Sequence, residues 1–290
     1  KKESRWRRLK RSYRLLESDE IAKAKVELVV LGKRYPLVAD DEGLLRLELK
    51  GLPVGRHRVE ARYPGHEGPL RVMSGEVVVA PAKPGVAVLS DIDDTVLKTG
   101  VGNKLKLIKK VLFGNARMLQ SYPYTPALYR ELAAKAPLVF VSGSPINLYP
   151  RLKTFFALRG FPRGAMRLKN LGSGKGSDSL FGQKKYKLAK IREVFALLPG
   201  YRFILVGDSG EKDPEIYRAT EKAFPKRVAK VLIHNVSEAK ASEARFRGQL
   251  LFRSYREAAV ALNKAKLLSP AALSRVRASA VATKKTKAAK

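Results

Sequence analysis

The chain has 290 residues, of which 45% are hydrophobic, and it carries a formal net charge of +33. This hydrophobic content supports a packed core and excludes a disordered chain, and the length allows one large or two modest domains. Because there is no cysteine, disulfides, cysteine nucleophiles and thiolate metal sites are excluded. The charge favours anionic partners (nucleic acid, anionic lipid or a phosphorylated substrate), although adaptation for solubility would produce the same excess.

The cellular location is indicated by what the sequence lacks. It contains no run of about 20 apolar residues that could span a membrane and no segment resembling a signal peptide. The absence of cysteine fits a reducing compartment. We therefore expect a cytoplasmic protein, either in solution or peripherally bound at a membrane surface.

The first part of the chain, residues 1–23, is a basic arm. Trp6 and Tyr13 interrupt a run of lysines and arginines between Lys1 and Arg14. Such a segment can lie on phosphates or on an anionic membrane with its aromatic residues at the interface. A solvated or partly helical lead-in is an equal alternative.

Residues 24–83 contain short β-type runs separated by Gly, Pro and Asp turns, and they predict a small all-β sandwich of about five or six strands. DDEG, at Asp40–Gly43, predicts a hairpin turn, and PAKPG predicts the linker to the next domain. The predicted strand segments are AKVELVVLG, YPLVADDEG, LLRLELKGL, GRHRVEARYPG and GEVVVAP.

Residues 84–268 alternate between strand-like and helix-like segments. This alternation, with connections of helical length, predicts an α/β domain with a doubly wound, mostly parallel sheet. The chief buried strands are predicted at VAVLS, PLVFVSGS, FILVGD and VAKVLIHNV, the last strand of the sheet.

The first of these strands leads into VLSDIDDT, where carboxylates follow a buried apolar run. Open α/β sheets bind their ligands at the carboxyl ends of the strands. Asp91 and Asp93 are two residues apart, so in extended backbone their side chains project the same way. Two anions this close repel unless a cation lies between them, and hard oxygen ligands favour Mg²⁺. An acidic turn is the alternative interpretation of this motif alone.

Two further strand ends carry candidate site residues. Ser142 and Gly143 end the strand in FVSGSP, where a hydroxyl and backbone amides can bind a phosphoryl oxygen. In GDSGEKD, Asp208 leaves a strand and could complete an oxygen cage around a metal. Asp213, five residues later, could orient a water or a lysine, or cap the next helix. Lys187 can neutralise these carboxylates and a bound phosphate, although Lys184, Lys185 and Lys190 compete with it by spacing.

The four motifs together resemble those of the haloacid dehalogenase phosphatase superfamily. More narrowly, SDIDDTVLKT, FVSGSPINLYPRL and ILVGDSGEKDPEIY resemble the phosphatidate phosphatase catalytic-domain family of a yeast actin-patch protein and its bacterial relatives. The superfamily resemblance covers roughly Val86–Val236 and implies a Rossmann-type sheet. The second strand end departs from the usual family pattern, which more often has a serine in place of Gly143.

The resemblance implies a Mg²⁺-dependent hydrolase that acts on phosphomonoesters through an aspartyl-phosphate. It makes Asp91 the nucleophile and Asp93 the general acid and then base. Thr95 would support the loop, while Asp213 would lie in the outer shell of the metal or orient the lysine. The resemblance further implies that the phosphoryl group is bound by Ser142, Gly143 and Lys187, and that the metal is held by Asp91, the main-chain carbonyl of Asp93, and Asp208.

The substrate is less closely specified than the chemistry. The family resemblance implies phosphatidate, and the basic insert Lys104–Lys110, like the arm Lys1–Arg14, could rest on anionic lipid. Residues 269–290 predict a disordered tail rich in Lys and Ala that could bind any polyanion, including nucleic acid. A phosphatase of nucleic-acid ends or nucleotides therefore remains an alternative. A binding module for anionic lipid or nucleic acid, without catalysis, is the alternative from another class.

Overall fold

The structure is a computed structural model that describes residues 21–64, 69–99, 116–170 and 182–288, with side chains up to residue 279. It divides into two compact units. One contains the described residues up to Lys83 together with Asn170, and the other contains the described residues from Pro84 to Lys169 and from Gly182 onward. None of the helices in the described part of the chain combines the length and the apolar character needed to span a bilayer.

The first unit contains one antiparallel sheet with the strand order β2-β1-β3-β4. Leu31 and Gly32 connect its first two strands with φ angles of +49° and +77°. Two successive positive φ angles are typical of a type I′ turn, whose twist matches that of a hairpin. The strands are β1 (Lys25–Val30), β2 (Lys33–Val38), β3 (Gly55–Tyr63) and β4 (Arg71–Val79).

The prediction of a small β domain ahead of the α/β domain is confirmed, but the described residues form four strands in a single sheet, where a sandwich of five or six strands was predicted. The turn at Asp40–Gly43 is also present, because Asp40 Oδ1 accepts hydrogen bonds from the amides of Glu42 and Leu44 at 3.0 and 2.9 Å. Residues 44–50, from the predicted strand LLRLELKGL, join no strand ladder in the described sheet. Their apolar and polar residues alternate, but alternation alone does not supply a pairing partner.

The second unit is built on a six-stranded sheet with the order β12-β11-β10-β5-β8-β9, in which all neighbouring strands are parallel. The predicted doubly wound parallel sheet is therefore confirmed. The strands are β5 (Gly85–Ser90), β8 (Leu138–Pro145), β9 (Ala165–Lys169), β10 (Tyr201–Asp208), β11 (Val228–His234) and β12 (Leu250–Phe252), and a separate two-stranded pair is β6 (Leu97–Lys98) and β7 (Gln120–Ser121).

Helices connect and flank these strands. Buried aromatic and aliphatic side chains from the sheet and the helices form one core, with Phe140, Phe155 and Ile204 completely buried. The helices are α1 (Thr125–Ala133), α2 (Tyr149–Leu158), α3 (Gln183–Leu197), α4 (Asp213–Ala223), α5 (Tyr255–Lys264) and α6 (Pro270–Ala288), and short 3₁₀ turns lie at Ala116–Met118, Ile146–Leu148 and Ala244–Phe246.

The order of the strands explains where a site can form. The chain passes from β5 to β8 and β9 on one side, and then crosses to β10, β11 and β12 on the other side. The strand order therefore reverses at β5, with earlier strands added on one side of it and later strands on the other. Such a switch point opens a crevice at the carboxyl ends of the central strands, where doubly wound folds bind their ligands.

Two predictions for the C-terminal region were wrong. VAKVLIHNV is not the last strand of the sheet, because β12 follows it. The segment Pro270–Ala288 forms a helix where a disordered tail was predicted. Helix α6 begins at Pro270, and Ala272, Leu273 and Val276 are buried in the core. These apolar residues lie on one helical face, so burial outweighs the Lys-rich composition. The basic segments Lys1–Arg14 and Lys104–Lys110 lie outside the described residues.

Candidate active site

Asp91 follows β5 directly, and its amide still donates a hydrogen bond to the carbonyl of Val206 on β10, at 2.9 Å. After it the chain turns back on itself, because the amides of Val96 and Leu97 both donate to the Ile92 carbonyl at 2.9 Å. Asp94 adopts a positive φ of 52° at the tip of this turn. The turn places Asp91 and Asp93 in the crevice at the end of β5, where both side chains are buried.

Asp94 has a structural role in this turn. Its Oδ1 accepts hydrogen bonds from the Thr99 amide at 3.0 Å and from the Tyr122 hydroxyl at 3.2 Å. Its carbonyl oxygen lies 3.1 Å from His234 Nδ1. These contacts tie the turn to neighbouring segments.

Lys187 reaches the crevice from α3. Its ammonium Nζ lies 2.7 Å from Asp91 Oδ1, 2.7 Å from Asp213 Oδ1 and 3.5 Å from Glu211 Oε2. Burial lowers the pKa of Lys187, but the carboxylates of Asp213 and Asp91 outweigh that effect, so the pKa stays well above its usual value. Among the lysines that competed by spacing, Lys187 is therefore the one at the carboxylates.

Asp208 ends β10, the strand beside β5. Its Oδ1 accepts hydrogen bonds from the amides of Gly210 and Glu211, at 2.7 and 3.0 Å. Asp213 begins α4 and accepts a hydrogen bond from the Asp208 amide through Oδ2, at 3.3 Å. Gly207 makes this close approach possible, since a β-carbon on Gly207 would meet Asp213 Oδ2 at 2.5 Å. The two acids of GDSGEKD are thus locked together.

The arrangement of carboxylates fits a divalent cation. One oxygen each from Asp91, Asp208 and Asp213 lies within 4.8 Å of the others. Asp91 Oδ2 and Asp208 Oδ2 are buried and have no hydrogen-bond partner among the described residues, whereas both oxygens of Asp213 are engaged. Burial raises the pKa of Asp91, and the Lys187 ammonium opposes that rise only in part. A hard cation between the two unpartnered oxygens would relieve this cost, and carboxylates of this kind suit Mg²⁺.

The β8 side of the crevice supplies hydroxyl groups. The hydroxyls of Ser142 and Ser144 donate hydrogen bonds to the same oxygen of Asp93, Oδ2, at 2.9 and 2.7 Å. The Ser144 amide in turn donates to Ser142 Oγ at 2.9 Å. Burial raises the pKa of Asp93 to about 6 even though these hydroxyls lower it. Asp93 is therefore a carboxyl group that can both hold and release a proton near neutrality.

The structure brings together at the crevice six of the predicted site residues, namely Asp91, Asp93, Ser142, Lys187, Asp208 and Asp213. Gly143 lies on β8 beside the crevice, where Gln183 packs against it. Thr95 is completely buried behind the turn, and its carbonyl oxygen accepts a hydrogen bond from the Tyr255 hydroxyl at 2.6 Å. Thr95 thus connects the turn to α5.

Several residues at the crevice were not predicted from the sequence. Ser144 was hidden because only the first serine of VSGSP was considered. Glu211 lies between the two aspartates of GDSGEKD, and this position could have indicated that it reaches the crevice. No local sequence pattern indicated Gln183 or Arg245, because the residues that they contact are distant in the chain. Arg245 donates to the carbonyls of Ser209 and Glu211 at 3.1 and 2.6 Å and so fixes the loop after β10.

Comparison with known proteins places this unit in a family. Curated relatives include phosphatidate phosphatase APP1 of Saccharomyces cerevisiae, 32% identical over 174 residues, which are 58% of this chain and 29% of the yeast protein. An uncharacterized protein of Schizosaccharomyces pombe is 26% identical over 153 residues, which are 52% and 25% of the two chains. The chain thus spans well under half the length of these relatives.

Among solved structures, one described as a haloacid dehalogenase-like hydrolase from Burkholderia xenovorans LB400 aligns with 14% identity and a TM-score of 0.44. The alignment covers 64% of this chain and all of that one. Residues 86–235 match the sequence profile described as "Phosphatidate phosphatase APP1, catalytic domain". This match confirms the narrower resemblance predicted from the three motif strings. The chain therefore belongs to the family of the phosphatidate phosphatase APP1 catalytic domain.

Proposed function

We propose that the chain is a Mg²⁺-dependent phosphatase that hydrolyses phosphatidate through an aspartyl-phosphate on Asp91. The observation that carries the proposal is that Asp91 Oδ2 and Asp208 Oδ2 are buried without a hydrogen-bond partner among the described residues, while Lys187 Nζ lies 2.7 Å from Asp91 Oδ1. A buried anion with an open oxygen and an adjacent cation is a suitable nucleophile for an anionic phosphoryl group. We propose phosphatidate as the substrate because the family is named after a phosphatidate phosphatase.

In the first step, Asp91 attacks the phosphorus atom, and the bond between phosphorus and the ester oxygen breaks. Asp93 donates its proton to that oxygen, so an alcohol leaves and the phosphoryl group remains on Asp91. For phosphatidate this alcohol is diacylglycerol. A carboxylate nucleophile splits the hydrolysis into two easier steps.

In the second step, Asp93, now ionised, takes a proton from water, which attacks the phosphorus atom. The bond to Asp91 breaks, phosphate leaves, and Asp91 and protonated Asp93 are restored. The pKa of Asp93, about 6, suits both directions of proton transfer. The hydroxyls of Ser142 and Ser144 orient the Asp93 carboxyl group for this work.

The proposed phosphate-binding groups are Lys187, Ser142 and the backbone near Gly143. Mg²⁺, held by Asp91, Asp208 and the carbonyl of Asp93, would shield the charge of the phosphoryl group during transfer. Asp213 orients Lys187 through its 2.7 Å contact and braces Asp208 through the Asp208 amide. Thr95 holds the turn that carries Asp91 and Asp93.

A lipid substrate requires access to a membrane surface. The segments Lys1–Arg14 and Lys104–Lys110 are rich in lysine and arginine and would attract anionic lipid. We propose a cytoplasmic protein that binds the membrane peripherally through these segments.

The test is phosphate release with Mg²⁺ from phosphatidate in mixed micelles, a soluble aryl phosphate and a 3′-phosphorylated oligonucleotide. We expect turnover of phosphatidate, and a loss of about a thousandfold or more in Asp91→Asn, which lacks the nucleophile. Glu193→Gln, which removes an exposed carboxylate on α3 paired with Lys190, is the control and should keep full activity.

The outcomes separate the alternatives. Preference for the oligonucleotide would exclude the lipid substrate and assign the basic segments to nucleic acid. Absence of turnover on all three substrates would contradict a phosphatase and support a binding module. Acid quench during turnover should trap labelled phosphate on the intact chain, and an unlabelled chain would contradict the aspartyl-phosphate.

A further inference from the structure

Each side chain proposed to bind the phosphoryl group already donates hydrogen bonds to carboxylates of the chain itself. The Ser142 hydroxyl donates to Asp93, and the Lys187 ammonium contacts three carboxylates. A phosphoryl group is also an anion and needs the same donors. At least one carboxylate must therefore move away from Lys187 before a phosphoryl oxygen can bind there.

Glu211 is the carboxylate that can leave most easily. Asp91 and Asp213 each lie 2.7 Å from Lys187 Nζ, and their side chains are 1% and 0% exposed. Glu211 Oε2 lies 3.5 Å from the same nitrogen, and its side chain is 18% exposed. A longer contact is weaker, and a side chain that already touches water loses less when it turns outward.

The same oxygen of Glu211 has a second donor. Gln183, the first residue of α3, donates a hydrogen bond from Nε2 to Glu211 Oε2. Gln183 also lies against Gly143, where an added β-carbon would come within 3.4 Å of its Cγ and Nε2. Gln183 therefore bridges from the β8 side of the crevice to the loop after β10. Glu211 Oε2 marks a position where an anionic oxygen receives hydrogen bonds from both Lys187 and Gln183.

We propose that Glu211 occupies the place of a phosphoryl oxygen in the ligand-free chain, and that the substrate displaces it and takes over the hydrogen bonds from Lys187 and Gln183. This inference rests on the proposed function and adds Gln183 to the phosphate-binding groups. The apparent affinity for phosphate is then reduced by the fraction of molecules in which Glu211 holds the position. The carboxylate also keeps Lys187 paired when no substrate is bound.

The experiment measures the dissociation constant of inorganic phosphate by calorimetry, with Mg²⁺ present. Glu211→Gln keeps the shape of the side chain but removes its charge, and we expect it to bind phosphate about tenfold more tightly than the intact chain. Glu193→Gln removes one exposed carboxylate from the same unit, so it controls for net charge and should bind like the intact chain. Glu211→Ala is the second variant and should shift the constant in the same direction.

Gln183 is tested in the Glu211→Gln background, where the Glu211 carboxylate no longer competes for its amide. Adding Gln183→Ala there should weaken phosphate binding about tenfold, because one donor is lost. The exposed Gln120, changed to Ala in the same background, is the matched control and should leave binding unchanged.

Two results would overturn the inference. One is phosphate binding in Glu211→Gln and Glu211→Ala that equals or falls below that of the intact chain. The other is a Gln183→Ala double variant that binds as tightly as Glu211→Gln alone. Phosphate binding needs no turnover, so a chain that binds as expected but hydrolyses no ester would contradict the proposed function and not this inference.

Discussion

The two sides of β5 carry opposite kinds of chemistry. Toward β10 the crevice holds charged groups, with Asp208 at the end of that strand, Asp213 at the start of α4, and Lys187 between Asp213 and Asp91. Toward β8 it holds two neutral hydroxyls, from Ser142 and Ser144, directed at one oxygen of Asp93. The charged side has the carboxylates that could hold the proposed cation. The neutral side orients Asp93, which exchanges a proton in the proposed mechanism.

The largest expected effect comes from the charged side. Asp208→Asn removes one of the two aspartate oxygens in the crevice that have no hydrogen-bond partner among the described residues, and we expect turnover to fall about a thousandfold. Mg²⁺ at a hundred times its dissociation constant should stabilise the intact chain by about 2.7 kcal/mol, and a chelator should remove that gain. In Asp208→Asn, thermal unfolding should no longer respond to Mg²⁺. A full response to Mg²⁺ in this variant would contradict the assignment of the metal site.

Gly207→Ala disturbs the charged side without replacing a residue that is proposed to hold Mg²⁺. Its β-carbon would meet Asp213 Oδ2 at 2.5 Å, so Asp213 must move and release Lys187. We expect turnover to fall about a hundredfold, with a loss of about 1–3 kcal/mol in the free energy of unfolding. Gly75→Ala in β4 is the control, because nothing lies within 4 Å of its added β-carbon. Unchanged turnover in Gly207→Ala would show that the position of Asp213 is unimportant.

A smaller effect is expected on the neutral side. Ser144→Ala removes one of the two hydrogen bonds to Asp93 Oδ2, and we expect kcat to fall about tenfold with the response to Mg²⁺ intact. Ser142→Ala should cost more, because the same hydroxyl also accepts the Ser144 amide. Steady-state kinetics and thermal unfolding with Mg²⁺ check both variants. A loss of the Mg²⁺ response in Ser144→Ala would show that the two sides are not separate in function.

The charged side was more predictable from the sequence than the rest of the molecule. Asp91 and Asp208 follow buried apolar runs, so both their element and their edge of the sheet follow from the local pattern, and Asp213 lies only five residues after Asp208. Gln183 could not be predicted, because its partners Gly143 and Glu211 lie 40 and 28 positions away in the sequence. Only the tertiary packing of the helices on the sheet brings these three residues together.

The elements that the sequence analysis missed are short or unusual in composition. Strand β12 has only three residues, and a run that short has no measurable period. Helix α6 was hidden by its basic composition, although Ala272, Leu273 and Val276 have helical spacing. Conversely, residues 44–50 alternate like a strand but lack a partner in the described sheet, which no local pattern can reveal.

Val276→Ala separates stability from the chemistry of both sides. Val276 is completely buried in the core, so its truncation should lower the free energy of unfolding by about 2 kcal/mol. Denaturant unfolding measures this loss. Below the unfolding transition, kcat and the dissociation constant of Mg²⁺ should equal those of the intact chain. A change in either constant would show that α6 also shapes the crevice.

The smallest effect is expected at the ion pair between α6 and α1. Arg275 donates two hydrogen bonds to Glu131, at 2.8 and 2.6 Å, and these lower the pKa of Glu131 from its ordinary 4.5. A depressed carboxyl pKa contributes stability above the unfolded value and loses it as pH falls through the folded value. Glu131→Gln should therefore be slightly less stable than the intact chain at pH 7, and the difference should vanish at an acidic pH that lies below the lowered pKa of Glu131. An equal difference at both pH values would exclude the ion pair as its source.

The position of β5 has a consequence for how the chain is made. It is the first strand of the parallel sheet to be synthesised, yet it becomes a central one, flanked by β8 and by β10. Until Tyr201–Asp208 has emerged from the ribosome, one edge of β5 has no neighbour from its own sheet, and such an edge can pair with other chains. The pairing of β5 with β10 joins segments that are far apart in the sequence, and such pairings form slowly. Folding of the sheet therefore depends on β10 and the strands after it. Truncation before β10 should therefore yield aggregation rather than a smaller folded domain.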